Sequence, residues 1–241
     1  METTAYIALS RQMALRRRMD VIAHNVANLN TTGFKGEAML LEPVIERSAG
    51  RDRLAFVQDF ATVRNLTPGP MITTNNPLDL AIDGDGYFVV ETADGPRYTR
   101  AGQFQLNDAG ELVTTAGDPV LGEGGARLVL PSDTQTVVIA SDGTMSSPDG
   151  VLGRIEVVAF ADEQTLRRAG GGLFVTDQAP EPGPEATRLV QGTLENSNVQ
   201  PVLEMTEMMS TSRAYQSTQR LIETHHELQR QAIQRTLDFN K

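Results

Sequence analysis

The chain has 241 residues, 39% of them hydrophobic, with no cysteine, no tryptophan and a formal net charge of −10. That length holds one ordinary core, or one core with peripheral elements, and the lack of cysteine excludes disulfides, thiolate metal sites and cysteine nucleophiles. The acidic balance argues against a nucleic-acid partner, and no run of about 18 apolar residues exists to insert in a membrane as a helix.

The first element is helical. Ala5, Ala8, Gln12, Leu15, Met19, Ile22, Val26 and Leu29 follow a 3-4 spacing, with Tyr6, Leu9 and Met13 widening the stripe. The pattern predicts a coiled-coil-like seam of about four heptads, which a lone helix cannot bury and which therefore requires a partner. The opening Met1-Glu2-Thr3-Thr4-Ala5-Tyr6 has no basic n-region and no apolar block behind it, so no cleaved signal peptide is expected. Arg16-Arg17-Arg18 invites a reading as a phosphate or membrane contact, but a solvated or partner-facing helix side is favoured. The helical pattern ends in Asn28-Leu29-Asn30-Thr31-Thr32-Gly33, residues suited to a turn, followed by Phe34 as an apolar anchor expected at a joint between parts.

Residues 31–66 read as a connector. Pro43, Gly50 and the mixed charges of residues 46–53 suggest an extended or partly mobile segment, with Leu54, Phe56, Val57 and Phe60 available to pin it. From Thr67 the sequence becomes β-rich. Leu78-Asp79-Leu80-Ala81-Ile82-Asp83 alternates at period two, Tyr87-Phe88-Val89-Val90 is a short buried-strand run, and Asp94-Gly95, Asn107–Gly110, Ala116–Asp118 and Asp142-Gly143 mark turns. Ala179–Pro184 is a stiff surface loop in this body. The chain then returns to helix. Ser197 with Gln200 fits a capping box, or Pro201 takes the first helical position. Beyond it Met205, Met208, Ser212, Tyr215, Gln219 and Ile222 form one seam, and Ala214, Thr218, Leu221, His225, Leu228 and Ala232 an adjoining one. Two shifted seams let one helix touch more than one neighbour. The expected fold is α+β: discontinuous N- and C-terminal helices (1–30 plus 200–241) forming a coiled-coil-like domain, and a central, mainly antiparallel β body (67–199).

Candidate chemical sites give way to plainer readings. Asp83-Gly84-Asp85-Gly86 lacks two carboxylates of a calcium loop, since Ala81 and Thr92 would stand at its first and twelfth positions. His225 and His226 point about 100° apart on a helix and cannot share a metal. His24 is a polar contact near a helix end, and the Met205, Met208 and Met209 cluster is adaptable packing. No Gly-x-Ser-x-Gly elbow or phosphate loop appears, and the scattered carboxylates select no hydrolytic pair. No catalytic, cofactor-binding or metal-ligating residue is assigned.

Three strings carry a resemblance. Asn25, Asn28, Thr31, Gly33, Phe34 and Lys35 resemble the N-terminal signature of the flagellar axial proteins, the family of rod and hook subunits. Asn76–Phe88 is similar to the family's body signature, with Asn75 where glycine is usual, and Tyr98-Thr99-Arg100, Gly102, Phe104 and Gly110–Thr114 continue the match. Gln191, Gly192, Leu194, Glu195, Ser197, Asn198 and Val199 match the string that precedes the C-terminal helix. The resemblance implies a structural subunit of the basal-body rod, of the proximal type with the distal type as alternative; no room exists for a hook protein's outer domain. It also implies passage through the flagellar type III export apparatus, assembly in the periplasm with other rod subunits and with itself, and no cofactor. The terminal helices would form an inner tube, with the β body outside. Leu15, Met19, Ile22, Val26 and Leu29, the signature residues above, and Met205, Met208, Tyr215 and Ile222 are the expected assembly residues. An exported binding module and a carboxylate hydrolase compete, but neither calls for apolar seams at both termini.

Overall fold

A computed structural model describes residues 2–47, 53–131, 137–184 and 186–238. The fold is α+β, and the chain groups into two compact units. The helical unit comprises Met1–Ala27, Glu37–Asn65 and Gln200–Lys241; the β unit comprises Asn28–Gly36 and Leu66–Val199.

In the helical unit, α1 (Glu2–Ala27) packs against α2 (Pro201–Asp238) and against both strands of a hairpin, β1 (Glu37–Arg47) and β2 (Arg53–Arg64). The hairpin runs in antiparallel register from Glu37 opposite Arg64 to Arg47 opposite Arg53, shifted between Leu40 and Leu41. Residues 31–66 were expected as an extended or partly mobile connector; within them Glu37–Arg47 and Arg53–Arg64 form a long two-stranded ribbon. Pro43, which argued against a strand, is tolerated because both strands of a two-stranded sheet are edges. Gly50, the other residue behind that expectation, lies outside the described residues.

The two helix seams differ from those the apolar spacing suggests. On α2 the residues withdrawn from solvent include Glu204, Met208, Thr211, Tyr215, Thr218, Ile222, His225 and Gln229, a strict 4-3 repeat. This face draws members from both expected seams and is largely polar. Met205, Leu221 and Leu228 stay 53, 56 and 60% exposed. The inward face of α1 holds Ala8, Ala14, Ile22 and Asn25. α2 starts with Pro201 in its first helical position, where the missing N–H costs nothing, and Glu204 N–H donates to the Gln200 carbonyl at 3.1 Å. Ser197 Oγ accepts from Val199 N–H (3.3 Å) and is not the helix cap.

In the β unit, chain order gives β3 (Met71–Thr73), β4 (Leu80–Asp83), β5 (Tyr87–Thr92), β6 (Gly95–Thr99), β7 (Phe104–Leu106) and β8 (Leu112–Thr114). Then come β9 (Val138–Ile139), β10 (Thr144–Ser147), β11 (Gly150–Arg154), β12 (Val157–Ala159), β13 (Arg167–Gly170) and β14 (Leu173–Val175). The last are β15 (Glu181–Pro182), β16 (Arg188–Gln191) and β17 (Thr193–Glu195). A six-stranded antiparallel sheet in the order β13-β14-β6-β5-β12-β15 is its largest layer. β5 reads as a continuous apolar run because both its faces are covered. Phe88 and Val90 enter one core with Leu80, Ile82, Phe104 and Leu112, while Tyr87 and Val89 enter a second with Tyr98, Phe160 and Phe174. β16 and β17 return late in the chain to pair with β4 and β3. The β unit is thus closed by residues immediately preceding α2.

Candidate functional site

Residues 31–36 leave α1 in two successive turns, with Thr31 N–H on the Asn28 carbonyl and Phe34 N–H on the Thr31 carbonyl, each at 3.2 Å. They then lie beside 195–198. Gly33 N–H donates to the Glu195 carbonyl (2.7 Å), Asn198 N–H to the Phe34 carbonyl (3.3 Å) and Gly36 N–H to Asn198 Oδ1 (2.8 Å). Gly33 has a φ of +68°, and a Cβ there would meet the Arg100 carbonyl carbon at 2.5 Å. Only glycine fits.

Below this ladder is a buried ion cluster. The Glu195 carboxylate accepts from Lys35 Nζ at 2.6 Å, Arg100 Nε at 2.8 Å and Gly69 N–H at 2.9 Å. Lys35 also donates to the Thr67 carbonyl, and Arg100 reaches the carbonyls of Ile82, Gly84 and Gly86. All three side chains are under 5% exposed. Burial pushes the Glu195 carboxyl up, but Arg100 and Lys35 outweigh it and hold the group below the usual carboxylate range. Burial, helped by the Arg100 charge, lowers Lys35 despite its bond to Glu195. Two cations on one carboxylate, with backbone carbonyls taking the remaining donors, is how buried charge is made tolerable. The Phe34 ring is buried under the Arg168 guanidinium, 4.3 Å from the ring centroid, and Arg168 also donates to the Lys35 carbonyl. Phe34 is therefore a packing residue of the β unit.

The N-terminal, body and C-terminal strings meet here. Lys35, Glu195, Gly33, Phe34 and Asn198 were legible as string members. Arg100 also stands in a string, but its pairing with Glu195 was not legible, because 95 residues separate the two and no local pattern links them. Gln191 is satisfied separately, donating to the carbonyls of Pro77 and Val137 and accepting from Ile139 N–H. Gly192 N–H holds the Asp79 carbonyl, and Asn75 beside it takes a φ of +59°, the geometry expected where glycine is usual. Leu194 pairs with Ile72. Val199 is half-buried.

A second junction lies in the helical unit. Asn25 Oδ1 accepts from Glu37 N–H (2.9 Å), and Nδ2 donates to the Glu37 carbonyl (2.8 Å) and to Glu204 Oε1 (3.0 Å). One carboxamide thus ties α1, β1 and α2. Burial, reinforced by nearby Glu207, raises the Glu204 pKa even though Asn25 opposes it. Leu15, Met19, Val26, Leu29, Met208, Tyr215 and Ile222 are half-buried and Ile22 is buried. Apolar surface remains outward on both helices: Tyr6, Leu9 and Met13 on α1; Val202, Leu203, Met205, Met209, Leu221 and Leu228 on α2.

Nothing in these two junctions is poised for chemistry. Every functional group of the ion cluster is engaged in holding backbone, and the described residues contain no group of three or more metal-binding side chains. A tightly closed β unit with two apolar-striped terminal helices defines a structural subunit whose helices carry surface for neighbours.

Comparison with known proteins agrees. The family described as flagella basal body rod protein matches residues 6–35, the flagellar hook protein FlgE/F/G D1 domain matches 81–147, and the flagellar basal body rod FlgEFG protein C-terminal region matches 190–235. The flagellar basal-body rod protein FlgF of Caulobacter vibrioides is 41% identical with both chains covered completely, and that of Mesorhizobium japonicum is 37% identical over 92% of each. The FlgG rod protein of Bacillus subtilis is 32% identical over 95% of this chain and 97% of its own. The chain belongs to the flagellar basal-body rod protein family. It is a structural subunit of the bacterial flagellar rod and assembles with other rod components.

Proposed function

We propose that this subunit is of the FlgF type, placed in the proximal rod, and that it polymerises through its helical unit into a shaft that transmits torque. The observation that carries this reading is the exposed apolar stripes on both helices, which burial against neighbours would stabilise. On this reading Leu15, Met19, Ile22, Val26, Met208, Tyr215 and Ile222 hold α1, α2 and the hairpin in shape, and Met205 meets neighbouring subunits. The signature residues around Lys35 and Glu195 act indirectly, by closing the β unit from which both helices emerge along the chain. The subunit reaches the periplasmic part of the basal body through the flagellar export apparatus, does not insert in the membrane, binds no nucleic acid and catalyses nothing. The test is deletion of residues 1–27 or 202–241, scored by incorporation into isolated rods and by motility. Either deletion should abolish both; normal motility with a deleted helix would sink the proposal.

A further inference from the structure

Charge is divided between the units. The helical unit carries 13 Lys/Arg against 12 Asp/Glu, a net +1, and the β unit 8 against 19, a net −11. The helical unit's excess lies in α1, where Arg11, Arg16, Arg17 and Arg18 face only Glu2 and Asp20. Arg18 is committed to Glu207 at 3.2 Å, while Arg11 and Arg16 are exposed. Tyr6, Leu9, Met13 and Arg16 follow each other at 3-4-3 spacing, so one outward face of α1 is apolar for two turns and then cationic.

The β unit offers the complement. Glu123, Glu156 and exposed Glu181 line a cleft of about 510 Å³ together with Arg154 and Arg188, and exposed Asp83 and Asp85 adjoin it. The two sides are joined locally: Asp83 pairs in register with Arg188, and Thr187 Oγ1 donates to the Asp85 carbonyl, both partners being cleft residues. Arg154 is already occupied by the Asp142 carbonyl at 2.8 Å and lies 3.9 Å from Glu123. Burial and the neighbouring Glu123 charge raise the Glu156 pKa. Pro180, Pro182 and Pro184 give the same cleft an apolar ledge.

We propose that this outward face of α1 docks on the acidic β unit of a second copy of the chain, with Arg16 at the carboxylate rim and the apolar turns on the proline ledge. The contact is heterologous, joining different surfaces of the two copies, so each copy keeps one face free for a third. It rests on the assembly reading above but is distinct from packing between apolar helix faces.

The test is sedimentation velocity on the full-length protein at low ionic strength and at about 1 M salt, where charge interactions are screened beyond about 3 Å. Self-association should weaken roughly tenfold with salt. The Arg16→Glu variant and the Asp83→Lys/Asp85→Lys/Glu181→Lys variant should each lose it, and mixing the two should restore it as a mixed assembly. Circular dichroism and thermal melts confirm that each variant is folded. Absence of self-association at every salt concentration, or association indifferent to salt and to charge reversal, overturns the proposal. Salt-independent association that is lost on deleting residues 202–241 overturns it while leaving the rod-subunit reading intact. Salt-sensitive binding of α1 to anionic phosphatidylserine vesicles without self-association also overturns it, by assigning the arginines to lipid.

Discussion

Glu195 shows how much one side chain can carry when three distant segments depend on it. Its carboxylate is shared by two cations and a backbone N–H, all buried. Glu195→Gln keeps the shape but leaves Lys35 and Arg100 facing each other without a counter-charge, and should cost about 3–5 kcal/mol in thermal or urea unfolding. Lys35→Met should cost less, about 1–2 kcal/mol, because Arg100 still neutralises the carboxylate and Asn198 still donates to the Thr67 carbonyl. Reversal of that order would mean Lys35 is the essential cation. The pH dependence follows from the sign of the shifts. Glu195 has a folded pKa below its unfolded value of about 4.3, so its contribution is complete above that value and is lost as the pH falls through the folded pKa. Glu204 is shifted the other way, so the helical unit gains stability as the pH falls through its raised pKa. Glu204→Gln should remove that mild-acid gain, monitored by hydrogen exchange in α2, and leave the acid loss in the β unit untouched. Phe34→Ala should destabilise the β unit by about 3 kcal/mol, since its ring is buried there beneath Arg168. The residue could be picked out from its string, but its three-dimensional neighbour Arg168, 134 positions along, could not.

At the scale of elements, both helices were legible because a 3-4 spacing survives even when the seam is imperfect. Which face meets the partner was not. Apolar spacing points to Met205, Leu221 and Leu228, whereas the positions withdrawn from solvent on α2, which packs against α1, include Thr211, Tyr215, Thr218 and Ile222. A sequence pattern records every apolar face a helix will ever need, without saying which is buried inside the chain and which between chains. The hairpin was obscured for a different reason: Pro43 and the charges around residues 46–53 look like breakers unless the strands are known to be edges. Two substitutions separate the faces. Leu221→Ala should change the melting behaviour of the isolated protein by less than about 0.5 kcal/mol yet reduce incorporation into rods. Asn25→Ala should cost about 2–3 kcal/mol, because it removes both side-chain bonds to the Glu37 backbone and the one to Glu204, and should speed exchange of the Glu37 amide. Equal effects of both changes on stability and incorporation would refute the division.

The whole molecule is discontinuous: the chain passes between its units four times, at residues 27/28, 36/37, 65/66 and 199/200. Each unit must nevertheless hold on its own terms. The β unit has two cores, a six-stranded sheet and the buried ion cluster, and its closing bonds end at Asn198 and Val199, before α2 begins. Among the side chains described in the helical unit, only Ala8, Ala14 and Ile22 are buried apolar residues; the inward face of α2 is mostly polar, and Met205, Met209, Leu221 and Leu228 stand in solvent. Stability should therefore be unequal. In the dilute full-length protein, amide exchange should be slow in β4, β5, β6 and the 195–198 ladder, and fast through residues 2–27 and 201–238. Deleting residues 202–241 should leave the slow amides slow, because no closing contact of the β unit is removed. The same protection pattern should change on polymerisation, with α1 and α2 becoming slow as neighbours cover Leu9, Met13, Leu221 and Leu228. Strong protection of both helices in the monomer would mean that α1, α2 and the hairpin already satisfy one another. Assembly would then join preformed rods of helix rather than fold them, and the exposed apolar stripes would be docking surface alone.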